Sequence, residues 1–175
     1  MVMRWIVILT LLILSASSTS GQETEIPHEY LVKSKYLLNI PLFTEISSKT
    51  GGTSYIICLA GETPLESILA SSKGIMIKNL PLSVRKVEEL SQVGSCQMLF
   101  IASSERYRLQ KLLADAHRQG IITISDMRDF TRSGGMIGLL TRDNRVTFDL
   151  NLSAAGRASI SFSSHVLKLA HDIIK

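Results

Sequence analysis

Residues 98–124 read MLFIASSERYRLQKLLADAHRQGIITI, and this stretch decides the fold class. It opens on a fully apolar run, Met98–Ala102, and closes on Ile121–Ile124, which is apolar except for one threonine. Short continuous apolar runs are typical of strands buried on both faces. Apolar residues recur at helical spacing between the two runs, at Leu109, Leu112, Leu113 and Ala116. The stretch therefore predicts a strand, a helix and a strand, which is the repeating unit of a parallel sheet.

The same alternation extends toward the N-terminus. A helix is predicted over Glu23–Leu42, and Pro41 should end or kink it. Tyr55–Ala60 is another continuous apolar run and predicts a second strand buried on both faces. A helix opened by Pro64 and a strand at Ile75–Ile77 follow it.

Two connecting segments are less regular. Asp126 is predicted to cap a short helix that reaches Phe130. Leu80–Gly94 has no clear period, apart from a short helical turn at Glu88–Leu90.

The C-terminal third has a different pattern. Met136–Thr141 and Arg145–Asn151 are strand-like and are separated by two turn residues, so they predict an antiparallel hairpin. A last helix is expected to begin at Ser163 or Ser164 and to continue through Ile174. The predicted fold class is α/β: a single domain with a largely parallel central sheet, helices on both faces and a C-terminal antiparallel hairpin.

Residues 1–20 have the layout of a secretory signal peptide. A short positive end precedes Trp5–Leu14, an apolar run of about ten residues, and small residues follow it. A helix that crosses a bilayer needs about 20 apolar residues, which disfavours a membrane anchor. We expect cleavage near Ser18 or Ser20 and a folded domain over residues 27–175.

Composition and net charge exclude several classes of protein. The chain has 175 residues, of which 45% are hydrophobic, and its 19 basic and 15 acidic residues give a net charge of +4. These values indicate a globular domain rather than a collagenous or disordered chain. The charge is far from the dense basic stripe of a nucleic-acid-binding protein.

Two cysteines, Cys58 and Cys96, would meet an oxidising environment after export, so a disulfide between them is expected. Each lies in an apolar, strand-like segment, and the alternative is a pair of buried thiols that never meet. Neither has a second cysteine or a histidine at metal spacing, which disfavours a zinc site.

The sequence contains no motif for catalysis, a metal or a cofactor. It lacks a Gly-x-Ser-x-Gly nucleophile motif, and His165 and His171 are spaced so that they would not share a helix face. Gly134 and Gly135 precede a strand, so a tight structural turn is favoured over a phosphate loop. Asn151 heads an Asn-Leu-Ser acceptor for glycosylation but is preferred as a helix cap.

Several blocks of the sequence match one known pattern. Lys33–Asn39 looks like an opening helix, Ile57–Gly61 like a first core strand, and Ser95–Ile101 like a central strand. The most specific blocks lie near the end, at Thr123–Asp126, Gly134–Ile137, Arg145–Asn151, Ser163–Ser164 and Leu167–Ala170. From Lys33 to Ala170 the chain thus resembles the YfiR-like family of small bacterial periplasmic proteins.

The resemblance implies a function that no spacing shows. Members of the family repress an inner-membrane diguanylate cyclase by binding its periplasmic sensor region, and this lowers cyclic di-GMP synthesis and disfavours biofilm. An OmpA-like outer-membrane lipoprotein is the implied second partner, and no cofactor or nucleic acid is implied. The resemblance leaves open whether the protein forms a homodimer.

This chain departs from the family at Phe43–Ser47, which stands where an aromatic block ending in Trp-Pro is usual. It also lacks a second cysteine pair near the Gly-Gly turn.

The hairpin supplies the candidate contact residues. Arg145, Asp149 and Asn151 alternate with apolar residues along one predicted strand, so they should lie on its wet face. We interpret them as candidates for contacting a ligand or a partner, with ordinary solvated strand residues as the alternative. The alternative function is a periplasmic small-molecule-binding sensor without a cyclase partner, whose ligand sits at this face.

Overall fold

A computed structural model describes residues 27–46, 52–72 and 74–175. The predicted signal peptide lies outside these residues. The described helices are α1 (His28–Asn39), α2 (Leu65–Ala70), α3 (Leu109–Arg118), α4 (Leu152–Arg157) and α5 (Ser164–Leu169). The described strands are β1 (Thr44–Ile46), β2 (Tyr55–Ala60), β3 (Met76–Ile77), β4 (Leu80–Val87), β5 (Met98–Ile101), β6 (Ile122–Ser125), β7 (Ile137–Arg142), β8 (Arg145–Asn151), β9 (Ile160–Phe162) and β10 (Asp172–Ile174). Among the helices described, none has the length and hydrophobicity that a bilayer crossing needs.

Eight of the strands form one sheet in the order β10-β8-β7-β6-β5-β2-β4-β3. Five of the seven pairings between neighbours are parallel, and β7 and β8 form an antiparallel hairpin. The predicted α/β class, with a largely parallel central sheet and a C-terminal antiparallel hairpin, is confirmed.

The central strands are buried on both faces. In β2, Ile57 and Leu59 belong to an apolar cluster that includes residues of α1 and α2, whereas Cys58 and Ala60 belong to a second cluster with α3. All four are at most 1% exposed. Full burial of a large apolar side chain contributes about 1.5–3 kcal/mol, so the sheet is stable only when helices cover both of its faces.

Helix α3 covers one of these faces with the stripe predicted from the sequence. Its residues Leu109, Leu112, Leu113 and Ala116 are all buried. The chain leaves the helix through Gly120, whose φ of +63° is readily adopted by glycine.

Helix α1 covers the opposite face, and a buried charged group fixes its position. The Nζ atom of Lys33 lies 2.9 Å from a carboxylate oxygen of Asp126, and the Tyr30 hydroxyl donates to the same oxygen at 3.1 Å. Burial and the Asp126 charge raise the pKa of Tyr30 to about 12. Because Asp126 follows the last residue of β6, these contacts join α1 to the carboxyl end of a central strand.

The helix predicted from Asp126 to Phe130 is wrong. Residues 127–134 form turns instead. The Asp126 carboxylate accepts hydrogen bonds from Lys33 and Tyr30. Local propensity predicted that this side chain caps a helix, but it binds residues distant in sequence instead.

The strand predicted at Ile75–Ile77 is present as β3, which has two residues and pairs antiparallel with the start of β4 at the edge of the sheet. The strand that pairs with β2 on this side was not predicted. Strand β4, in the segment without clear period, pairs in parallel with all of β2. Most of β4 is only partly buried, so its sequence lacks the apolar run of a central strand.

The predicted last helix is half right. Helix α5 ends at Leu169, and the following residues turn back so that the His171 amide donates to the Phe148 carbonyl at 2.8 Å. Ile173 and Ile174 then lie in β10, parallel to β8. Their apolar character fits a helix or a strand equally well, and the open edge of β8 selects the strand.

A second, smaller sheet joins two distant segments. Strand β1 pairs antiparallel with β9, with Thr44 opposite Phe162. No sequence pattern predicted this sheet, because each strand has only three residues. It places the end of the 3-10 turn Ile40–Phe43 beside the start of α5.

The disulfide expected from the sequence is present. Cys58 of β2 and Cys96, just before β5, are bonded with their Cα atoms 5.8 Å apart. Both residues are fully buried in the cluster beneath α3. The bond ties two neighbouring parallel strands together on that face.

Reduction of this bond should destabilise the domain. The chain-entropy model gives a loss of about 4 kcal/mol in the free energy of unfolding, for a bond between residues separated by 38 positions. Urea denaturation with and without a reductant measures this loss. A Cys58→Ala/Cys96→Ala variant is the control, and its denaturation midpoint should be the same with and without the reductant. An unchanged wild-type midpoint would show that the bond does not constrain the unfolded chain.

Candidate functional site

The described residues contain no group of three or more His, Cys, Asp or Glu side chains placed to hold a metal ion. His171 pairs with a carboxylate, since its Nδ1 atom lies 3.2 Å from an Asp149 oxygen. Both ring nitrogens also lie within 2.8 Å of the Arg142 guanidinium. A nucleophilic triad needs a hydroxyl or thiol at that position, so this cluster does not have the arrangement for acyl transfer.

The three candidate residues of the hairpin do not share one surface. Asn151 is 6% exposed, and its side chain caps α4 by accepting from the Ala154 amide at 2.8 Å. Its amide group donates to the Thr131 carbonyl at 2.7 Å. The preferred assignment of Asn151 as a helix cap is confirmed, whereas its expected position on a wet face is wrong.

Asp149 is also withdrawn from solvent, at 9% exposed, so its expected wet position is wrong as well. Its carboxylate lies between His171 and Arg142, whose guanidinium is 3.7 Å from the second oxygen. These contacts hold the segment before β10 against the hairpin. Alternation along β8 correctly placed these side chains on one face but could not show that His171, Arg142 and the turn after β6 contact them there.

Arg145 is exposed, as predicted, and lines a cavity of about 770 Å³. The cavity lies between the first turn of α1 and the end of the hairpin, and its other lining residues are His28, Glu29, Val32, Thr141, Asn144 and Val146. A hydrogen bond from Thr141 and the nearby Lys33 charge lower the pKa of Glu29. Glu29 is thus an anion facing the same space as the Arg145 cation.

Gly134 and Gly135 form the turn before β7, and each position requires glycine for a different reason. Gly134 has a φ of +99°, which L side chains rarely adopt. A Cβ atom on Gly135 would collide with the ring of Phe130. Both glycines therefore have a structural explanation.

The structure brings together an exposed apolar group that sequence reasoning did not single out. Leu42, Phe43 and Leu169 are 48%, 40% and 61% exposed, and the Phe43 ring lies 5.1 Å from the ring of His165. His165 and Leu169 are one turn apart on α5, so they lie on the same side of that helix. We call Leu42, Phe43, His165 and Leu169 the apolar patch. The sequence signal was weak, because the patch depends on the β1-β9 pairing.

Comparison with known proteins gives one family and a shared fold. Residues 30–171 match the family described as YfiR/HmsC-like. No curated protein matches the chain. A conserved domain protein from Vibrio cholerae superposes with a TM-score of 0.52 and 11% identity, over 85% of this chain and 60% of that one.

A second solved structure is the ABC domain in complex with L-Trp from Streptococcus pneumonia. It has a TM-score of 0.50 and 10% identity, over 69% of this chain and 55% of that one. This chain thus spans between half and two thirds of the length of each structure. Identities this low show a shared α/β architecture and nothing about ligands.

Substitutions in β8 should separate structural residues from available ones. Asn151→Ala removes the cap of α4 and one of two hydrogen bonds to the Thr131 carbonyl, which keeps the Gly134 amide as a donor, so we expect the free energy of unfolding to fall by about 1–3 kcal/mol. Arg145→Ala lies on the same strand and is the matched control, with an expected change within about 0.5 kcal/mol. Chemical denaturation measures both, and equal losses would contradict the assignment.

Proposed function

The chain belongs to the YfiR/HmsC-like family, and from this membership we propose that it is a periplasmic regulator of an inner-membrane diguanylate cyclase. It binds the periplasmic sensor region of the cyclase and lowers cyclic di-GMP synthesis. The observation that carries the proposal is the family match over residues 30–171. Members of this family are regulators rather than enzymes, and they act through a protein partner.

The apolar patch is the surface that we assign to this partner. Contiguous exposed apolar residues on a soluble domain mark interaction sites, and buried aromatic side chains are frequent energetic centres of interfaces. Phe43 also lies in the segment that replaces the aromatic block usual in the family. The two segments of the patch are joined by a hydrogen bond, which the Ser163 amide donates to the Phe43 carbonyl at 2.9 Å.

Repression of this kind requires only unequal binding to two states of the cyclase. A partner shifts a conformational equilibrium by no more than the difference between its affinities for the two states. Moving the cyclase from almost fully active to almost fully inactive takes a preference of about 10⁴-fold. No chemical step is needed from the regulator.

Binding to the sensor region tests the proposal. The exported domain should associate with the purified periplasmic region of the cyclase at micromolar concentration or below, measured by calorimetry. Leu42→Asp and Leu169→Asp should each weaken binding at least tenfold, because an ionised carboxylate would be desolvated in the interface. Tyr107→Asp is the matched control, since Tyr107 is 81% exposed and follows β5 on the way to α3.

Cellular measurements complete the test. Deletion of the gene should raise cyclic di-GMP, and the Tyr107→Asp variant should restore repression whereas Leu169→Asp should not. No association at micromolar concentration, together with unchanged cyclic di-GMP on deletion, would contradict the regulator proposal. Full binding by both patch variants would overturn the assignment of the surface.

The cavity beside Arg145 supports a second candidate function, a periplasmic small-molecule sensor. Its volume of about 770 Å³ falls within the range of about 300–1,000 Å³ usual for ligand sites. A true ligand at 100 times its dissociation constant should stabilise the domain by about 2.7 kcal/mol. A thermal-shift screen against small charged metabolites tests this, and Arg145→Ala should abolish any shift from a ligand in the cavity. A shift that survives in this variant would exclude the cavity as its source.

A further inference from the structure

A separate cleft lies on the α3 side of the molecule, away from both the apolar patch and the Arg145 cavity. It has a volume of about 360 Å³, and three elements line it: α3, the turn before β7, and the end of α4. The lining residues used below are Gln110, His117, Arg132, Gly134 and Arg157. We call it the α3-α4 cleft.

The α3-α4 cleft carries an excess of positive charge. Arg132 has one ion pair within the described residues, a 3.9 Å contact with Asp129 in which both side chains are more than 70% exposed. An ion pair at this distance and exposure contributes little. The ion pairs found among the described residues do not include Arg157. Two guanidinium groups therefore line one small space, and the ion pairs of the described residues include only this weak, exposed one for either of them.

His117 adds an unsatisfied polar atom to the same place. Its Nε2 atom is buried and has no hydrogen-bond partner within the described part of the chain. Burial and the positive charge of Arg157 lower the pKa of His117, and a backbone hydrogen bond with Gly134 opposes them. A buried polar atom without a partner is costly, and the positive charge of Arg157 disfavours protonation of the ring.

The loop that forms one wall is held in position by α3. The Gln110 side-chain amide donates to the Ser133 carbonyl at 3.1 Å. The next residue is Gly134, whose positive φ turns the chain around the cleft. A hydrogen bond to the backbone of the loop thus fixes the position of this wall.

We propose that the α3-α4 cleft binds a small phosphate-class oxyanion, either inorganic phosphate or the phosphate group of a small ester. A dianion would balance the two arginines, whose planar guanidinium groups match the spacing of phosphate oxygens. Its negative charge would also offset the arginine charges and favour a proton on His117, so that the buried Nε2–H donates to an oxygen of the anion. The volume is at the lower end of the range usual for small-molecule sites, so the organic part of an ester is small.

Titration of the folded domain with two probes tests the proposal. Inorganic phosphate and glycerol phosphate are added at constant ionic strength, with chloride as the replaced anion, and binding is followed by calorimetry and by the NMR signals of the His117 ring. Saturable binding that shifts these signals is expected. Tighter binding of glycerol phosphate would identify an ester site, and equal binding would identify a site for the free anion.

Three charge-matched variants make the result specific. Arg157→Gln and Arg132→Gln should each raise the dissociation constant at least tenfold. Arg128→Gln removes the same charge from an exposed residue of the same loop that does not line the cleft, and it should change the constant less than twofold. Equal weakening by all three variants would show non-specific attraction and overturn the proposal. The absence of saturable binding of either probe would overturn it as well.

Both arginines are exposed, so the variants should keep the wild-type melting temperature. His117→Gln provides an independent check, because it removes the ring but leaves both charges. Unchanged affinity in this variant would exclude the imidazole from the site and contradict the geometry proposed. Neither result depends on whether the chain binds a cyclase.

Discussion

The burial of β2, β5 and β6 on both faces is the constraint on which the rest of the structure depends. The apolar residues of β2 and β5 alternate between two clusters, so a single layer of helices could not remove them from water. Helices α1 and α2 contribute to one cluster and α3 to the other. On the α1 side the Lys33–Asp126 ion pair joins the helix to the sheet, and on the α3 side the Cys58–Cys96 disulfide joins two strands. Both contacts lie in or next to the ends of the central strands.

This constraint also explains how much the sequence could predict. Continuous apolar runs such as Tyr55–Ala60 specify a central strand without outside information, and the stripe on α3 specifies its buried side. The edges of the sheet were predicted poorly because partners stabilise them rather than composition. Strand β4 has mixed polarity, and the last residues of the chain become β10 only because β8 offers an open edge. Local propensity likewise assigned Asp126 to a helix that long-range contacts prevent.

The same distinction applies to the candidate site. Asn151 could be identified as a cap because the signal is local, and Arg145 as exposed because it begins a hairpin strand. The burial of Asp149 depends on His171 and Arg142, which the sequence separates from it and the fold brings together. The apolar patch needs four residues from two distant segments that the fold brings together beside the β1-β9 pairing. Asp149 and Asn151 of β8 thus make contacts within the domain, whereas the apolar patch is exposed and available to a partner. A domain whose central sheet is covered by helices on both faces and that presents an apolar surface suits a protein that acts by binding.

Hydrogen exchange of the domain, free and bound to the periplasmic region of the cyclase, tests this account most directly. Binding through the apolar patch predicts slower exchange in the segments around Leu42–Phe43 and His165–Leu169, with the amides of β5 and β6 unchanged because they are already protected in the free domain. Slower exchange confined to the hairpin end near Arg145, or changes spread through the central strands, would contradict it.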